Sequence, residues 1–267
     1  MPLHSCCPTA DRKSVARIIA TDFIAALLVF FFLLAPQVRA AEPYPVLLKY
    51  TLGFDYSTGE YGAGEDTDIY FIPLSIEADF YPYRVIVTIP VVFIDGVAVD
   101  SPGSLSSRSQ GLGQISGRVS YLIAPVRKWV PWFEVSAKLS AHTETDKSLG
   151  SGMWGFSVFG DAFKQYGRVT GFTRFGRTFY TSSGLGDRFF TSIGASFRFT
   201  DRLSGGLAYD WFEASSDGVS DTEELLGFAM VKVSERWSIG PYGLLGLSKY
   251  SPDYGVGLSF SFKPPRP

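Results

Sequence analysis

The sequence predicts an all-β protein, an antiparallel up-and-down transmembrane β-barrel of about twelve strands preceded by a cleaved signal peptide. Three observations predict it. Apolar residues alternate with small or polar ones from residue 46 to the C-terminal region, the period-two signature of strands with two unlike faces. No segment after residue 41 brings apolar residues back at helical spacing over three turns. The connections alternate in kind, one short and the next long, as in barrels with tight turns on one side of the membrane and long loops on the other.

The first forty residues stand apart in composition. Arg12, Lys13 and Arg17 form a basic start, residues 23–35 are an unbroken apolar run, and Val38-Arg39-Ala40 suits signal-peptidase cleavage. Thirteen apolar residues fall short of the roughly 20 that cross a bilayer as a helix, and Asp22 blocks extension backwards. The chain therefore divides into a signal peptide, 1–40, and a barrel domain, 41–267, starting at Ala41. Cys6 and Cys7 precede the apolar run, so the mature chain has no thiol for a disulfide or a thiolate metal site.

The mature chain reads as strands near 46–56, 67–80, 83–95, 113–124, 130–142, 153–164, 167–180, 187–199, 202–214, 223–233, 235–247 and 254–262. An even number suits a closed single-chain bacterial barrel. Val85, Val87, Ile89, Val91 and Phe93 share one face of the third segment, opposite Arg84, Ile86, Thr88, Pro90 and Val92. The last segment sets Val256, Leu258, Phe260 and Phe262 against Gly255, Gly257, Ser259 and Ser261. Short turns are expected at 81–82, 124–129, 165–167, 200–201 and 234, and long loops at 57–66, 96–112, 143–152, 181–186, 215–222 and 248–253.

A secreted β-sandwich would also alternate. The barrel is favoured because each apolar face is paired with one rich in glycine, serine and charge, as when one face meets lipid and the other a wet lumen. Aromatic residues also gather at strand ends, among them Tyr81, Tyr83, Trp129, Trp132, Tyr166, Phe199, Trp211, Trp237 and Tyr254, where they would sit at headgroup level. A bilayer tolerates no open strand edge, so the first and last strands must pair. The final strand, ending Ser259-Phe260-Ser261-Phe262, resembles the C-terminal signal read by the bacterial barrel assembly machinery, although Lys263-Pro264-Pro265-Arg266-Pro267 follow it. The expected partners are outer-membrane lipid, that machinery and a small-molecule solute.

Turning the more apolar register outward leaves Lys49, Asp55, Glu77, Asp79, Arg84, Arg118, Glu134, Lys138, Asp161, Arg174, Arg198, Asp210 and Lys232 as lumen-lining candidates. Their signs nearly cancel. Such a balance favours internal ion pairs and a narrow passage over a strongly selective single-sign pore, and the same charges would equally brace a filled interior. Phe172, Phe190, Phe212 and Phe228, with Leu226 and Met230, fall on the same face. They form either a hydrophobic path or interior filling.

Other chemistries find little support. The mature chain has a single histidine, His142, with Ser140 two residues before it and Thr143, Glu144 and Thr145 after it; no oriented base and nucleophile pair can be named, so no catalytic residue is assigned. Acidic loops at Glu60, Glu65, Asp66 and Asp68 and at Asp217, Asp221, Glu223 and Glu224 lack calcium-loop spacing. A net charge of −2 gives no nucleic-acid footprint. No metal or cofactor is expected.

Particular residues add a resemblance. Asp55-Tyr56-Ser57 with Gly59, Tyr61 and Gly62, then Thr67-Asp68-Ile69, Gly111-Leu112-Gly113, Pro131-Trp132, Tyr209-Asp210, Ala214-Ser215-Ser216-Asp217-Gly218 and Glu235-Arg236-Trp237-Ser238 make the chain similar to a family of bacterial outer-membrane barrel transporters, some encoded beside phenol (meta-pathway) degradation operons. The resemblance implies passage of small solutes, with aromatic compounds as one class among them. Gln114 stands where that family usually has aspartate, which leaves the acid's role without a counterpart here. The expected function is passive passage of small solutes, aromatic or hydrophobic, across the outer membrane of a Gram-negative bacterium. A closed structural barrel with binding outer loops is the first alternative and an outer-membrane lipid hydrolase the second.

Overall fold

The computed structural model describes residues 46–61, 64–100, 104–146, 149–181, 186–216 and 218–265. The expected signal peptide with Cys6 and Cys7, and Gly62 and Asp217, lie outside the described residues. The strands are β1 (Leu47–Gly59), β2 (Thr67–Phe80), β3 (Tyr83–Asp100), β4 (Ser104–Leu112), β5 (Ser116–Ile123), β6 (Trp132–Ser140), β7 (Gly155–Tyr166), β8 (Val169–Tyr180), β9 (Arg188–Arg198), β10 (Leu203–Phe212), β11 (Thr222–Lys232), β12 (Trp237–Gly246) and β13 (Tyr254–Phe262). Every pairing is antiparallel, and β1 pairs with β13 from Tyr50 opposite Phe262 to Thr58 opposite Tyr254. That pairing closes the sheet and removes the edges that hydrocarbon would leave unsatisfied. Both β4 and β5 pair with β3, so thirteen segments fill twelve positions around the barrel.

One expected long loop is different. Residues 96–100 continue β3, and 104–112 return as β4, with a register irregularity between Asp95 and Ala98. β2 stops pairing with β3 at Asp95, so this hairpin runs on past its neighbour. Ser104-Leu105-Ser106-Ser107-Arg108-Ser109 has no apolar alternation. Outside a bilayer a hairpin needs only its backbone pairing, which leaves no mark on side-chain periodicity.

Burial is inverted relative to a soluble protein. Phe175, Ile193 and Leu207 are more than 60% exposed, whereas Ser120 and Ser136 are almost fully buried. The exposed apolar side chains form the outer face and the serines belong to the inner one, an arrangement suited to lipid outside and a polar interior. At the base, Thr200 and Ser234 build matching turns. The Thr200 hydroxyl accepts from the backbone N–H of Arg202 and Leu203, and Ser234 does the same for Arg236 and Trp237, the local side-chain capping expected of such residues in turns.

The expected aromatic rim divides between the two faces. Trp237 stacks on Phe262 at 4.7 Å between ring centroids and Tyr83 lies 5.3 Å from Tyr121, both pairs on the outer face by register. Trp132 departs from the expectation. Its register partner is Phe163, on the face that carries Glu134 and Asp161, and the two rings lie parallel, 6.3 Å apart.

Candidate functional site

The register assembles the inner face in tiers. One tier runs Lys49, Glu77, Ile86, Arg118, Lys138, Ser157, Thr178, Arg188 across successive strands. The next runs Asp79, Arg84, Ser120, Ser136, Phe159, Gly176, Phe190, Phe212. A third holds Leu122, Glu134, Asp161, Arg174, Ser192, Asp210 and Glu224. Asp55 faces the same way opposite Gly257, Arg198 opposite Ser204 and Lys232 opposite Ser238.

On the β1 to β8 side these charges pair. Arg84 donates from Nε to Asp79 at 2.6 Å and from its terminal nitrogen to Glu134 at 3.1 Å, and stands 3.5 Å from Glu77. Lys49 reaches Glu77 at 2.6 Å, and Arg174 reaches Asp161 at 2.6 Å. Between these clusters the buried hydroxyls of Ser120 and Ser136 bond each other at 2.8 Å. Arg118 and Lys138 differ. They face each other directly across β5 and β6, and among the described residues neither has a carboxylate within ion-pair distance. The buried Arg118 Nε has no hydrogen-bond partner.

The β8 to β13 side is built from rings. Phe172 lies 6.1 Å from Phe228, and Phe190 lies 6.4 Å from Phe212 and 5.9 Å from Phe159. Several rings have a glycine as cross-strand partner: Gly194 beside Phe172, Gly206 beside Phe228, Gly176 beside Phe190 and Gly257 beside Tyr242; Phe212 pairs with Phe190 and Thr222 instead. A Cβ at Gly206 would stand 2.8 Å from the Phe228 ring and one at Gly176 would stand 2.6 Å from the Phe190 ring. The missing side chain lets the ring lie over the neighbouring backbone, the pairing by which an aromatic residue covers a strand glycine. Cations meet the rings on the inner face. Arg174 lies 4.9 Å from the Phe159 centroid, Arg118 lies 5.9 Å from it, and Arg188 lies 4.7 Å from Phe212, within cation–π range.

At the long-loop end, the connection from β6 to β7 folds inward. Leu149, 5% exposed, packs against Val92 and Ile94 of the inner face, and Thr145 N–H donates to the Leu112 carbonyl. Gln114 secures this loop through its amide, which donates to the Ser151 hydroxyl at 2.8 Å and the Met153 carbonyl at 2.6 Å. An aspartate could not make those donations. The Glu144 carboxylate is fully buried, accepts from Gly152 N–H and pairs with His142 Nδ1 at 2.9 Å. His142 is thus engaged by an acid rather than by a serine hydroxyl. Tyr61, in the first loop, donates to the Ser57 hydroxyl at 2.8 Å, and burial pushes its own pKa above the ordinary tyrosine value. Among the described residues no group of three acids or histidines is placed to hold a metal.

The whole arrangement matches a known architecture. Its backbone is similar to the crystal structure of the COG4313 outer membrane channel from Pseudomonas putida F1, with a TM-score of 0.64 at 13% identity over 86% of this chain and 99% of that one. The fold is the antiparallel barrel of that structure. Lower scores relate it to the low-pH structure of Pseudomonas putida OprB, TM-score 0.42 at 10% identity over 83% and 92% of the two chains, and to Salmonella typhi OmpF in complex with daunomycin, 0.39 at 11% over 82% and 96%. No family model and no curated protein matches the sequence.

Within this fold, Arg188, Phe159 and Tyr242 join the inner face although the sequence reading did not single them out, and Glu224, expected among the acids of a loop, joins it from β11. Their signal was strand parity. Arg188 shares it with Arg198, Glu224 with Lys232 and Phe159 with Asp161.

Proposed function

We propose that the protein is a passive channel or facilitator for small solutes in the outer membrane of a Gram-negative bacterium, reached by export behind residues 1–40 and by assembly through the C-terminal strand β13. One observation carries this reading: a closed twelve-position barrel presents apolar side chains outward and an ion-paired, hydroxyl-rich surface inward. The glycine-backed rings support aromatic solutes in particular, consistent with the resemblance to barrels encoded beside phenol-degradation operons. The pairing of His142 with Glu144 supports transport over hydrolysis, since it leaves no serine nucleophile activated by the only histidine after residue 40. The inward-folded 141–154 loop narrows the mouth, so the expected steps are small.

Single-channel recording of the refolded mature protein tests this. Discrete steps are expected, and Arg118→Glu should move the reversal potential in a salt gradient toward cation preference, because charges lining a narrow passage set its selectivity. Electrical silence from protein with verified β-structure overturns the channel reading in favour of a closed barrel.

A further inference from the structure

The strongest unassigned feature is the pair of unneutralised cations on the inner wall. Arg118 and Lys138 are direct cross-strand partners, and like charges in that position destabilise a sheet. A buried guanidinium nitrogen without an acceptor adds to the cost. Nearby acids act on it only from a distance. Glu134 is paired with Arg84 and Asp161 with Arg174, so two positive charges stand beside Phe159 without an ion-pair acceptor.

We propose that Arg118 and Lys138 form a binding position for the carboxylate of an aromatic monoanion whose ring rests on Phe190. This inference rests on the channel reading above and names its solute class. A guanidinium offers a carboxylate two parallel donors and the ammonium a third, the charge-assisted geometry that recognises this group best. Phe159 is 6% exposed and lies against both the Arg118 and the Arg174 guanidinium groups, so it backs the cation; the half-buried Phe190 ring, 5.9 Å further along the same tier, is the aromatic surface open to a solute. A planar ring attached to the bound carboxylate therefore meets an offset aromatic partner. The site selects against dianions, because Glu134 and Asp161 occupy the neighbouring tier and would repel a second negative charge.

The test records current through the full mature channel with benzoate, acetate or benzyl alcohol added. Benzoate should interrupt chloride current in a concentration-dependent way, and acetate and benzyl alcohol should need about tenfold or more higher concentration for the same effect. In a doubly substituted Arg118→Met, Lys138→Met channel the benzoate effect should weaken by about tenfold or more while steps persist; Lys138→Arg should retain it. Circular dichroism and heat-modifiable gel mobility check that each variant folds. Wild-type steps on which benzoate acts no more strongly than benzyl alcohol overturn the proposal and leave the channel reading standing. Equal action by acetate shows a simple anion position and overturns the aromatic assignment. An unchanged benzoate effect in the double variant overturns the residue assignment, and absence of steps from folded wild-type protein overturns the proposal together with the channel reading.

Discussion

The two halves of the inner wall are built on different principles. From β1 to β8, polar atoms that have left water are matched to one another, as in Arg84 with Asp79 and Glu134 or Arg174 with Asp161. From β8 to β13, rings are matched to absences of side chain, as in Phe172 with Gly194 or Phe228 with Gly206. The first half depends on charge compensation and the second on shape. A barrel interior can therefore be braced by charge on one side and lined by fitted rings among its charges on the other. Arg118 and Lys138, on β5 and β6, lie within the first half, where its charge matching is incomplete.

The largest effect is expected from the hub of the charged half. Arg84→Met strips Asp79 of its cation and leaves Glu134, whose side chain is 9% exposed, without one. The expected loss is about 1.5–3 kcal/mol, the range for hydrogen bonds to charged groups. It stays below the cost of breaking a fully buried pair because Arg84 is itself 35% exposed. Urea unfolding in detergent, followed by tryptophan fluorescence, measures it. Adding Glu134→Gln should recover part of the loss; no recovery would mean that Arg84 acts by packing, and the contrast between the halves would fail on this side.

In the aromatic half the corresponding change adds volume. A Cβ at Gly194 would meet the Phe172 ring and stand 2.6 Å from the Leu207 carbonyl oxygen. Gly194→Val should cost about 1–2 kcal/mol, in the lower part of the overpacking range, because the ring can swing toward the lumen although the backbone cannot yield freely. The same swing should reduce conductance. Combining it with Phe172→Ala should restore conductance to at least the wild-type level, whereas combining it with Glu134→Gln should not. Rescue by the charge change would break the comparison.

How much of this was legible in the sequence follows from where a periodic environment acts. Lipid on one side and a polar interior on the other impose period two on every crossing, so segments such as 67–80 and 254–262 could be read with their final boundaries. The same parity places the predicted inward charges on one face and would have placed Arg188 and Glu224 there too. Beyond the bilayer that constraint lapses. The hairpin of β3 and β4 then looks like a serine-rich loop, and the inward fold of 141–154 depends on Leu149 finding Val92 and Ile94, contacts between distant segments. The glycine-backed rings lie between these cases, since each glycine and ring is visible but their adjacency appears only once the register joins the strands.

The smallest effect should come from the margin of the charged half. Lys49 bonds Glu77 at 2.6 Å, yet its side chain is 31% exposed and Glu77 keeps Arg84 at 3.5 Å. Lys49→Met therefore leaves no acid abandoned, and the expected loss is about 0.2–1 kcal/mol, as for a solvent-screened pair. The informative quantity is its coupling to the hub. If Glu77 is held by two cations, Lys49→Met made in the Arg84→Met background should cost more than in the wild type, because the second substitution removes the last partner. Equal costs in the two backgrounds, measured by the same urea titrations, would show that Lys49 and Arg84 act separately and that the charged half is a set of independent pairs instead of a connected brace.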